Sequence, residues 1–486
     1  MTTRAAPREA TDSQRQWWAL VAISVAQLMV TLDSTIVAIA LPSAQADLGI
    51  SDSDRQWVLT AYTLAFGCLL LTCGRITDLI GHKRSLIIGL LGFAVMSAVG
   101  GAAANGWMLI GARAAQGVFA AVLTPSTLAL VNTTFTDERR RGKAFGVFGA
   151  ILVTGGALGL IAGGLITQYL SWRWCLYVNL PVAVLALVGA AALLPRRPGG
   201  RGSTLDLPGA VIGCCGMSCL VYGFGTAATR GWDSTLVIGL LLAAVALVIA
   251  FVAVEARSRN PLVAAPLVRS RDRAGAFLTL ALSAFALFGM FLFLTYELQG
   301  VLRYSPLRAG AAFLPLLLAN ILMSSLVTGP MLSRVQPRML LAPGLLAAAI
   351  GMVMLTTLSQ HSTFLGGVLP AEVVLGLGLG TVMAPSASIA TANVDPGMQG
   401  IVSALVSTSQ QIGGAVGTAL LNTVAASTAA AYEAAHRQEP GADVAATVDG
   451  YAMAGRWAAV VLVLAAALAA ALINARPQPK TPAPSD

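Results

Sequence analysis

The stretch WWALVAISVAQLMVTLDSTIVAIAL, residues 17–41, decides the fold class of this chain. It is apolar apart from a few uncharged polar side chains and one charge, Asp33. A membrane-spanning helix needs about 20 apolar residues, whereas the apolar region of a cleavable signal peptide has only about 7–15. We therefore predict that residues 17–41 form a retained first membrane span, preceded by a cytoplasmic tail of residues 1–16.

The composition of the whole chain extends this prediction. Of its 486 residues, 56% are hydrophobic and only 10% are charged, and the mean hydropathy is +0.77. A soluble domain carries about 25% charged residues, so this chain is too poor in charge to cover a water-facing surface. We predict an all-α polytopic membrane protein that is surrounded by the lipid bilayer.

Fourteen apolar runs, numbered here as spans 1–14, account for most of the sequence. They cover residues 17–41, 56–74, 85–104, 107–128, 143–166, 173–194, 206–227, 235–254, 274–297, 309–329, 339–358, 363–386, 400–422 and 455–474. The predicted organisation is a six-helix bundle (17–194), a linker with two additional spans (195–273), a second six-helix bundle (274–474) and a cytoplasmic tail (475–486). Paired six-helix halves are a known transporter architecture, with the substrate site between them.

The formal net charge of +9 has a membrane explanation. With the amino terminus inside, the cytoplasmic segments hold 22 of the 30 Lys and Arg residues, the outer segments hold seven, and Arg113 alone lies inside a span. Cytoplasmic loops of membrane proteins are enriched in Lys and Arg in this way. We predict that both termini are cytoplasmic and that nucleic acid is not a partner.

The six cysteines and three histidines predict neither a metal site nor a cofactor. Each cysteine falls in an apolar run, and no CxxC pair or cluster with metal-ligand spacing occurs. The sequence also lacks a GxxxxGK[ST] nucleotide-binding loop, which argues against ATP as the direct energy source. We expect no cofactor other than protons as the coupling ion, and we do not expect an enzyme.

A short basic interval, GRITDLIGHKR (Gly74–Arg84), separates predicted spans 2 and 3. Its two glycines, Gly74 and Gly81, are expected to permit a tight reversal of the chain. Its acid, Asp78, can pair with bases or with the positive end of a helix dipole, and so hold the inner ends of helices together. The bases are Arg75, Lys83 and Arg84. We predict a gating loop; the alternative is an ordinary basic cytoplasmic turn.

Four motifs resemble those of the major facilitator superfamily, and in particular its drug:proton antiporters with fourteen spans. Gly74–Arg84 resembles the motif between spans 2 and 3, and LDSTIVAIALPSA (Leu32–Ala44) resembles the span 1 motif. LIGARAAQGVFAA (Leu109–Ala121) resembles the span 4 motif. GGALGLIAGG (Gly155–Gly164), followed by WRWCLYVNLP (Trp172–Pro181), resembles the span 5 antiporter motif and the start of span 6. The resemblance implies the major facilitator fold, with two extra central helices.

Four residues depart from the family's pattern. Leu79 stands where a basic residue usually follows the loop acid, and Phe119 stands where span 4 often has glycine. Gly156 and Leu160 take the places of prolines in the span 5 motif, which marks antiporters within the superfamily. A proton symporter or uniporter of a small metabolite therefore stays open beside an exporter.

Asp33 is the main candidate for proton coupling. It lies eight residues before the outer end of predicted span 1, or about 12 Å deep at about 1.5 Å per residue. A carboxylate in hydrocarbon costs about 2.5–3.5 kcal/mol on insertion scales, and protonation removes that cost. The alternative is a hydrogen-bonded Asp that only packs helices.

Arg113 enters span 4 from the outside to a similar depth, about 9 Å. We predict that Asp33 and Arg113 share a polar network facing the central cavity, with Gln116 on the next turn. Protonation of Asp33 would release Arg113 and couple proton entry to opening. A static ion pair that only fixes packing is the alternative.

Glu372 in predicted span 12 and Glu297 at the outer end of span 9 are the other intramembrane acids. The family resemblance singles out neither of them. We assign both, together with Gln116, to the candidate substrate cavity, where an acid can bind substrate or a proton.

Glycines recur every four residues in span 5, at Gly155, Gly159 and Gly163, and Gly164 follows directly. Small residues at this spacing let helices approach closely. The resemblance implies that this helix lies at the contact between the two halves, so packing and function coincide there.

We therefore predict a proton-coupled exporter of small amphipathic compounds, such as drugs, antibiotics or dyes, in the bacterial cytoplasmic membrane. Substrates are expected to be lipophilic cations or neutral molecules because intramembrane acids are few. A monomer that works by alternating access is expected. The alternatives are a symporter or uniporter, and a membrane sensor that transports nothing.

Overall fold

The computed structural model describes residues 6–135, 137–195, 206–258, 262, 269–358, 362–392, 394, 399–436 and 442–475, and within them every regular element is helical. Thirteen helical stretches are long and apolar enough to cross a membrane, and a fourteenth helix, Glu138–Tyr169, contains predicted span 5. The predicted all-α polytopic fold is confirmed. Residues 196–205, most of 259–268 and the end of the carboxyl-terminal tail lie outside the described residues.

The helices of the amino-terminal half, spans 1–6, are Ala6–Leu48, Trp57–Ile80, His82–Gly101, Gly106–Thr134, Glu138–Tyr169, and Trp174–Tyr177 continued by Asn179–Leu193. Span 7 is Leu207–Arg230 and span 8 is Thr235–Arg257. Outer and cytoplasmic ends are named below by the orientation that the charge distribution predicts.

The helices of the carboxyl-terminal half, spans 9–14, are less regular. Span 9 is Arg271–Tyr296 with a π-helical end, Glu297–Val301. Span 10 consists of Pro306–Ala312, Leu314–Leu322, π-helical Met323–Thr328 and Gly329–Met331. Span 12 consists of π-helical Phe364–Val368, Leu369–Leu379 and Met383–Thr391. Span 11 is Arg338–Leu355, span 13 is Gln399–Ala435 and span 14 is Ala442–Leu472.

One apolar core cluster lies within the amino-terminal half and a larger one extends across both halves, and two pairs of helices make the most extensive contacts between the halves. Within the amino-terminal half, span 1 contacts spans 4, 5 and 6, and span 4 also contacts spans 2 and 3. Between the halves, span 2 packs against span 13, and span 5 packs against span 10. Span 7 packs against both span 2 and span 13, and span 8 packs against span 7.

Capping side chains fix where several spans begin. Asn105 accepts a hydrogen bond from the backbone N of Met108 at 2.9 Å, so span 4 starts sharply after the short break that the sequence indicates. Asp137 and Asp206 cap spans 5 and 7 in the same way. Helices also run past the apolar runs, because a helix can continue beyond the hydrocarbon into the interface; span 14 begins at Ala442 rather than at residue 455.

The predicted loop Gly74–Arg84 is mostly helix, and this part of the prediction is wrong. Span 2 continues to Ile80, span 3 begins at His82, and the reversal takes place at Gly81 alone. Gly81 has φ = 91°, which glycine adopts without strain. Gly74 is helical and makes no turn, since polar residues on a cytoplasmic helix end do not interrupt the helix.

Candidate functional site

A fully buried polar network lies inside the amino-terminal half. Its members are Asp33 of span 1, Ser97 of span 3, Arg113 and Gln116 of span 4, and Asn179 of span 6, and each is 0% exposed. The structure thus brings together the three residues that sequence predicted to interact, at the depth where spans 1, 3, 4 and 6 meet.

Asp33 is the centre of this network. Arg113 Nη1 donates to Asp33 Oδ2 at 2.5 Å, and Asn179 Nδ2 donates to Asp33 Oδ1 at 2.7 Å. Gln116 Nε2 makes a longer contact to Oδ1 at 3.4 Å. Asp33 is the acceptor in every one of these contacts, the role that carboxylate oxygens play.

Arg113 is held from several sides. Nη1 also donates to Gln116 Oε1 at 2.9 Å, and Nε donates to the backbone oxygen of Val58 in span 2 at 3.2 Å. The ring of Tyr62 lies under the guanidinium, 4.3 Å from Cζ to the ring centroid. A buried guanidinium needs this many partners because leaving a buried charge unpaired costs about 3–5 kcal/mol.

Three members of the site were missed at the sequence level. Ser97 Oγ accepts from Gln116 Nε2 at 2.6 Å and from Asn179 Nδ2 at 3.1 Å, so it joins the two amides. Tyr62 supplies the aromatic face. Each is a polar residue within an apolar run, which was the available signal, but neutral polar residues are too common in spans for that signal to select these three.

The network does not line an open cavity in this conformation. Gln116, which sequence placed in the substrate cavity, uses its amide within the network and has no exposed surface. Asp33 and Arg113 were also expected to face the central cavity. In this conformation they do not, since both side chains are enclosed by spans of their own half.

The two other intramembrane acids lie in the carboxyl-terminal half, apart from this network. Glu372 in span 12 is 0% exposed, and neither of its carboxyl oxygens has a hydrogen-bond partner among the described residues. Glu297 is 5% exposed and lies in a pocket between spans 9, 11 and 14. That pocket is otherwise largely apolar, with Met290, Phe293 and Met352 among its lining residues.

The residues of the predicted gating loop lie at the cytoplasmic ends of spans 2 and 3. Lys83 Nζ donates to the backbone oxygens of Ala191 at 2.9 Å and Leu194 at 2.6 Å, at the end of span 6. A cation suits this place because the last carbonyls of a helix carry partial negative charge. Asp78 Oδ1 lies 3.8 Å from His82 Nε2. Arg84 is exposed.

The glycine stripe of span 5 packs against span 1 rather than against the other half. A β-carbon on Gly159 would lie 2.8 Å from the backbone oxygen of Leu32, and one on Gly163 would lie 2.9 Å from that of Ile36. Gly155 faces span 1 as well. Span 5 does lie at the contact between the halves, as the resemblance implies, but this stripe is not the contact surface, because it faces span 1.

The contact with span 10 uses that other face of span 5. A β-carbon on Gly164 would lie 2.6 Å from Leu307 Cα, and Gly310 approaches the backbone oxygen of Leu160 closely. Leu160 stands at a position where the resembling family has proline, so a residue that departs from the motif makes the contact between the halves.

The halves are also joined at their outer ends by a contact centred on Arg55, which we call the outer contact. The Arg55 guanidinium lies 4.0 Å from the ring centroid of Tyr296 and donates to the hydroxyl of Tyr451 at 3.1 Å. The Tyr296 hydroxyl donates to Gln45 Oε1, and Gln299 Nε2 donates to the backbone oxygen of Ile39 at 3.0 Å. These bonds close the outer side of the molecule.

Comparison with known proteins supplies a family and relatives. Residues 23–418 match the family model described as Major Facilitator Superfamily. A puromycin resistance protein of Streptomyces alboniger is 52% identical over 465 residues, which cover 95% of this chain and 92% of that protein. A cephamycin export protein of Amycolatopsis lactamdurans is 38% identical over 84% of this chain and 85% of that protein.

Solved structures agree on the fold. A transporter of the POT family, PepTSo, superimposes with a TM-score of 0.67 at 15% identity, covering 93% of this chain and 98% of that chain. At this identity the likeness concerns the helical architecture alone.

Proposed function

The chain belongs to the Major Facilitator Superfamily, and we propose that it exports small amphipathic antibiotics or drugs across the bacterial cytoplasmic membrane in exchange for protons. Export is supported by relatives over nearly the whole chain, whose names state resistance to puromycin and export of cephamycin. Proton exchange is supported by one observation above the others, the fully buried pair of Asp33 and Arg113.

The pair is suited to coupling because its two charges depend on each other. Protonation of Asp33 would leave the guanidinium of Arg113 without its counter-charge inside the bundle, at a cost of about 3–5 kcal/mol. The proton is therefore accepted only together with a rearrangement that gives Arg113 another partner. Asp33, Arg113 and Asn179 lie on spans 1, 4 and 6, so this rearrangement acts on three helices at once.

The proton gradient supplies enough free energy for export. Each proton that moves inward contributes about 2.3 kcal/mol per 100 mV of membrane potential. A pH difference adds about 1.4 kcal/mol per unit. One or two protons per substrate are therefore sufficient to maintain a concentration difference of one to several orders of magnitude.

Closing of the outer side and rigidity of the amino-terminal half are assigned to different residues. The outer contact of Arg55 with Tyr296 and Tyr451 holds the outer side shut in this conformation. At the cytoplasmic ends, Lys83 ties the start of span 3 to the end of span 6, within the amino-terminal half. We assign the motif around Asp78 to keeping this half rigid while the halves move. Both termini lie in the cytoplasm in this proposal, and the working unit is a monomer.

The substrate is proposed to be an amphipathic molecule, neutral or cationic. Glu297 supports this class, since one carboxyl group lies in a pocket that is otherwise lined mainly by apolar and aromatic side chains. These lining residues favour contact with an apolar group that carries a positive charge, whereas a polyanion would meet an acid and no base among them.

The test compares resistance and transport. Cells that express the wild-type chain should tolerate more puromycin than cells with Asp33→Asn, while Ser34→Ala should behave as wild type. Ser34 is a matched control because its hydroxyl bonds only to its own helix, at the backbone oxygen of Thr31. Everted vesicles should accumulate a cationic dye only while a proton gradient is present. Accumulation that an uncoupler leaves unchanged would rule out the proton mechanism.

A further inference from the structure

The two halves can be aligned by the places where their helices approach most closely. A β-carbon on Gly117 of span 4 would collide with the backbone oxygen of Tyr62 and the side chain of Ala65, both in span 2. A β-carbon on Gly376 of span 12 would collide in the same way with Leu316 and Ala319 of span 10, three residues apart as in span 2. Spans 2 and 4 therefore correspond to spans 10 and 12.

Spans 1 and 5 correspond to spans 9 and 13 by the same criterion. Gly159 and Gly163 face the backbone oxygens of Leu32 and Ile36, four residues apart. Gly413 and Gly417 face the backbone oxygens of Ala281 and Phe285, which are also four residues apart. The internal repeat that the sequence suggests only weakly is thus explicit in the contacts.

This alignment gives Glu372 a definite counterpart. Glu372 precedes Gly376 by four residues, as Arg113 precedes Gly117, so the acid occupies the place of the buried arginine. The counterpart of Asp33, one residue after Leu32, is Leu282, one residue after Ala281. The carboxyl-terminal half therefore has an acid in one of the two positions and an apolar side chain in the other.

The surroundings of Glu372 offer it no compensating charge. Its carboxyl oxygens have no hydrogen-bond partner among the described residues, and the side chain is 0% exposed. Charged and titratable residues on the described helices that pack against span 12 lie within two turns of a helix end. They are residues 271–273 and 296–297 of span 9, Arg308 of span 10, Arg338 of span 11 and residues 432–433 of span 13.

The helix that carries Glu372 is irregular on both sides. Leu369–Leu379 is preceded by the π-helical segment Phe364–Val368 and followed by a non-helical turn at residues 380–382. Span 10, on which it packs, has a π-helical segment as well, whereas the corresponding spans 2 and 4 are continuous. Discontinuous helices often form substrate and ion sites in transporters, and π-helical segments are frequent at functional sites.

We propose that Glu372 is a second proton-carrying site, in the carboxyl-terminal half, and that it holds its proton as a neutral carboxylic acid while the outer side is closed. An ionised carboxylate without a partner at this depth would cost several kcal/mol, and the neutral acid avoids that cost. Movement of Leu369–Leu379 then opens the route by which the proton arrives from the outer side and leaves to the cytoplasmic side. The proposal rests on the proton exchange proposed above and adds one proton to it.

The experiment counts protons in liposomes that contain the purified full-length protein. Ethidium and proton fluxes are recorded together with the wild type, Glu372→Gln and, as a control, Glu255→Gln. Glu255 is a buried acid at the end of span 8, outside both bundles. We expect Glu372→Gln to exchange one proton fewer per ethidium than the wild type and the control. Glu372→Asp, which keeps an acid, should retain the wild-type ratio.

Infrared spectroscopy gives a measurement that does not depend on transport. The carbonyl band of a protonated carboxylic acid should be present in the wild type and in Asp33→Asn, and reduced in Glu372→Gln. An unchanged band, or an unchanged proton ratio in Glu372→Gln, would overturn the second site while leaving the function of the protein in place. A wild type that moves ethidium without protons would instead defeat the proposed exchange, and the infrared band would still decide whether Glu372 is protonated.

Discussion

Removal of the negative charge at position 33 gives the sharpest test of the buried network. All the neighbours that contact Asp33, namely Arg113, Asn179 and Gln116, are hydrogen-bond donors. An Asn at this position has one NH2 group, and whichever way the amide turns, that group faces a donor. The guanidinium of Arg113 also loses its counter-charge. We expect Asp33→Asn to lose about 3–5 kcal/mol of stability in this conformation.

A double-mutant cycle separates the pair from its surroundings. Arg113→Met should also destabilise the protein, because the buried carboxyl group of Asp33 loses its cation and must either remain charged without it or take up a proton. In the double variant both charges are gone, and Gln116 Oε1, which accepts from Arg113 at 2.9 Å, is free to accept from the new amide. The double variant should therefore be destabilised by less than the sum of the two single effects, with a coupling energy of about 3 kcal/mol, or roughly a hundredfold in an equilibrium constant.

The assay is the thermal unfolding of the three purified variants and the wild type in detergent, at one heating rate. Proton-driven dye transport is measured in parallel and should be lost in all three variants. If the destabilisation of the double variant equals the sum of the two single effects, the charges do not interact in the folded protein and the coupling argument fails. Transport that persists in Asp33→Asn would show that the proton is carried elsewhere.

Three further predictions concern the outer contact, the glycine stripe of span 5 and the pocket of Glu297. Arg55→Ala removes the stacking of Arg55 on Tyr296 in the outer contact, which is worth about 0.5–2 kcal/mol. A cysteine introduced in place of the buried Thr60 should then be labelled faster by a reagent added from outside, and an unchanged rate would contradict this role. Gly159→Ala should cost about 1–3 kcal/mol and reduce transport because its β-carbon meets span 1, whereas Gly156→Ala, with open space, should be close to wild type; equal thermal stabilities would refute this. Glu297→Gln should weaken binding of cationic dyes more than of neutral substrates in a fluorescence titration, and a uniform effect would remove Glu297 from charge recognition.

The fold was predictable because its signals are long. An apolar run of some twenty residues is long enough to indicate a span by itself, and the capping residue Asn105 marked even the shortest break. The ends of spans were less predictable. Residues of span 2 beyond Cys73 include Arg75, Thr77 and Asp78, yet they continue the helix to Ile80, since hydropathy reports the hydrocarbon and not the hydrogen bonding of the backbone.

The charged part of the site was also predictable, whereas its neutral part was not. Asp33 and Arg113 stand out because charges in spans are rare, and equal depth suggested that they meet. Asn179 and Ser97 carry no such signal, and their role depends on the direction in which each helix turns its side chain. The helix that the glycine stripe contacts could not be predicted for the same reason. The spacing of Gly155, Gly159 and Gly163 defines one face of span 5 but does not indicate which helix packs against it.

Span 7 has a consequence for how a substrate reaches the protein. The halves meet along two seams, spans 2 and 13 on one side and spans 5 and 10 on the other, and span 7 covers the first of them. On the second, Leu158 of span 5 and Leu318 and Leu322 of span 10 are each 45–57% exposed, so the described part of the protein leaves these side chains largely uncovered. We therefore expect a drug dissolved in the membrane to enter between the halves along spans 5 and 10 and not along spans 2 and 13. Bulky side chains along spans 5 and 10 should then delay lipid-soluble substrates more than water-soluble ones.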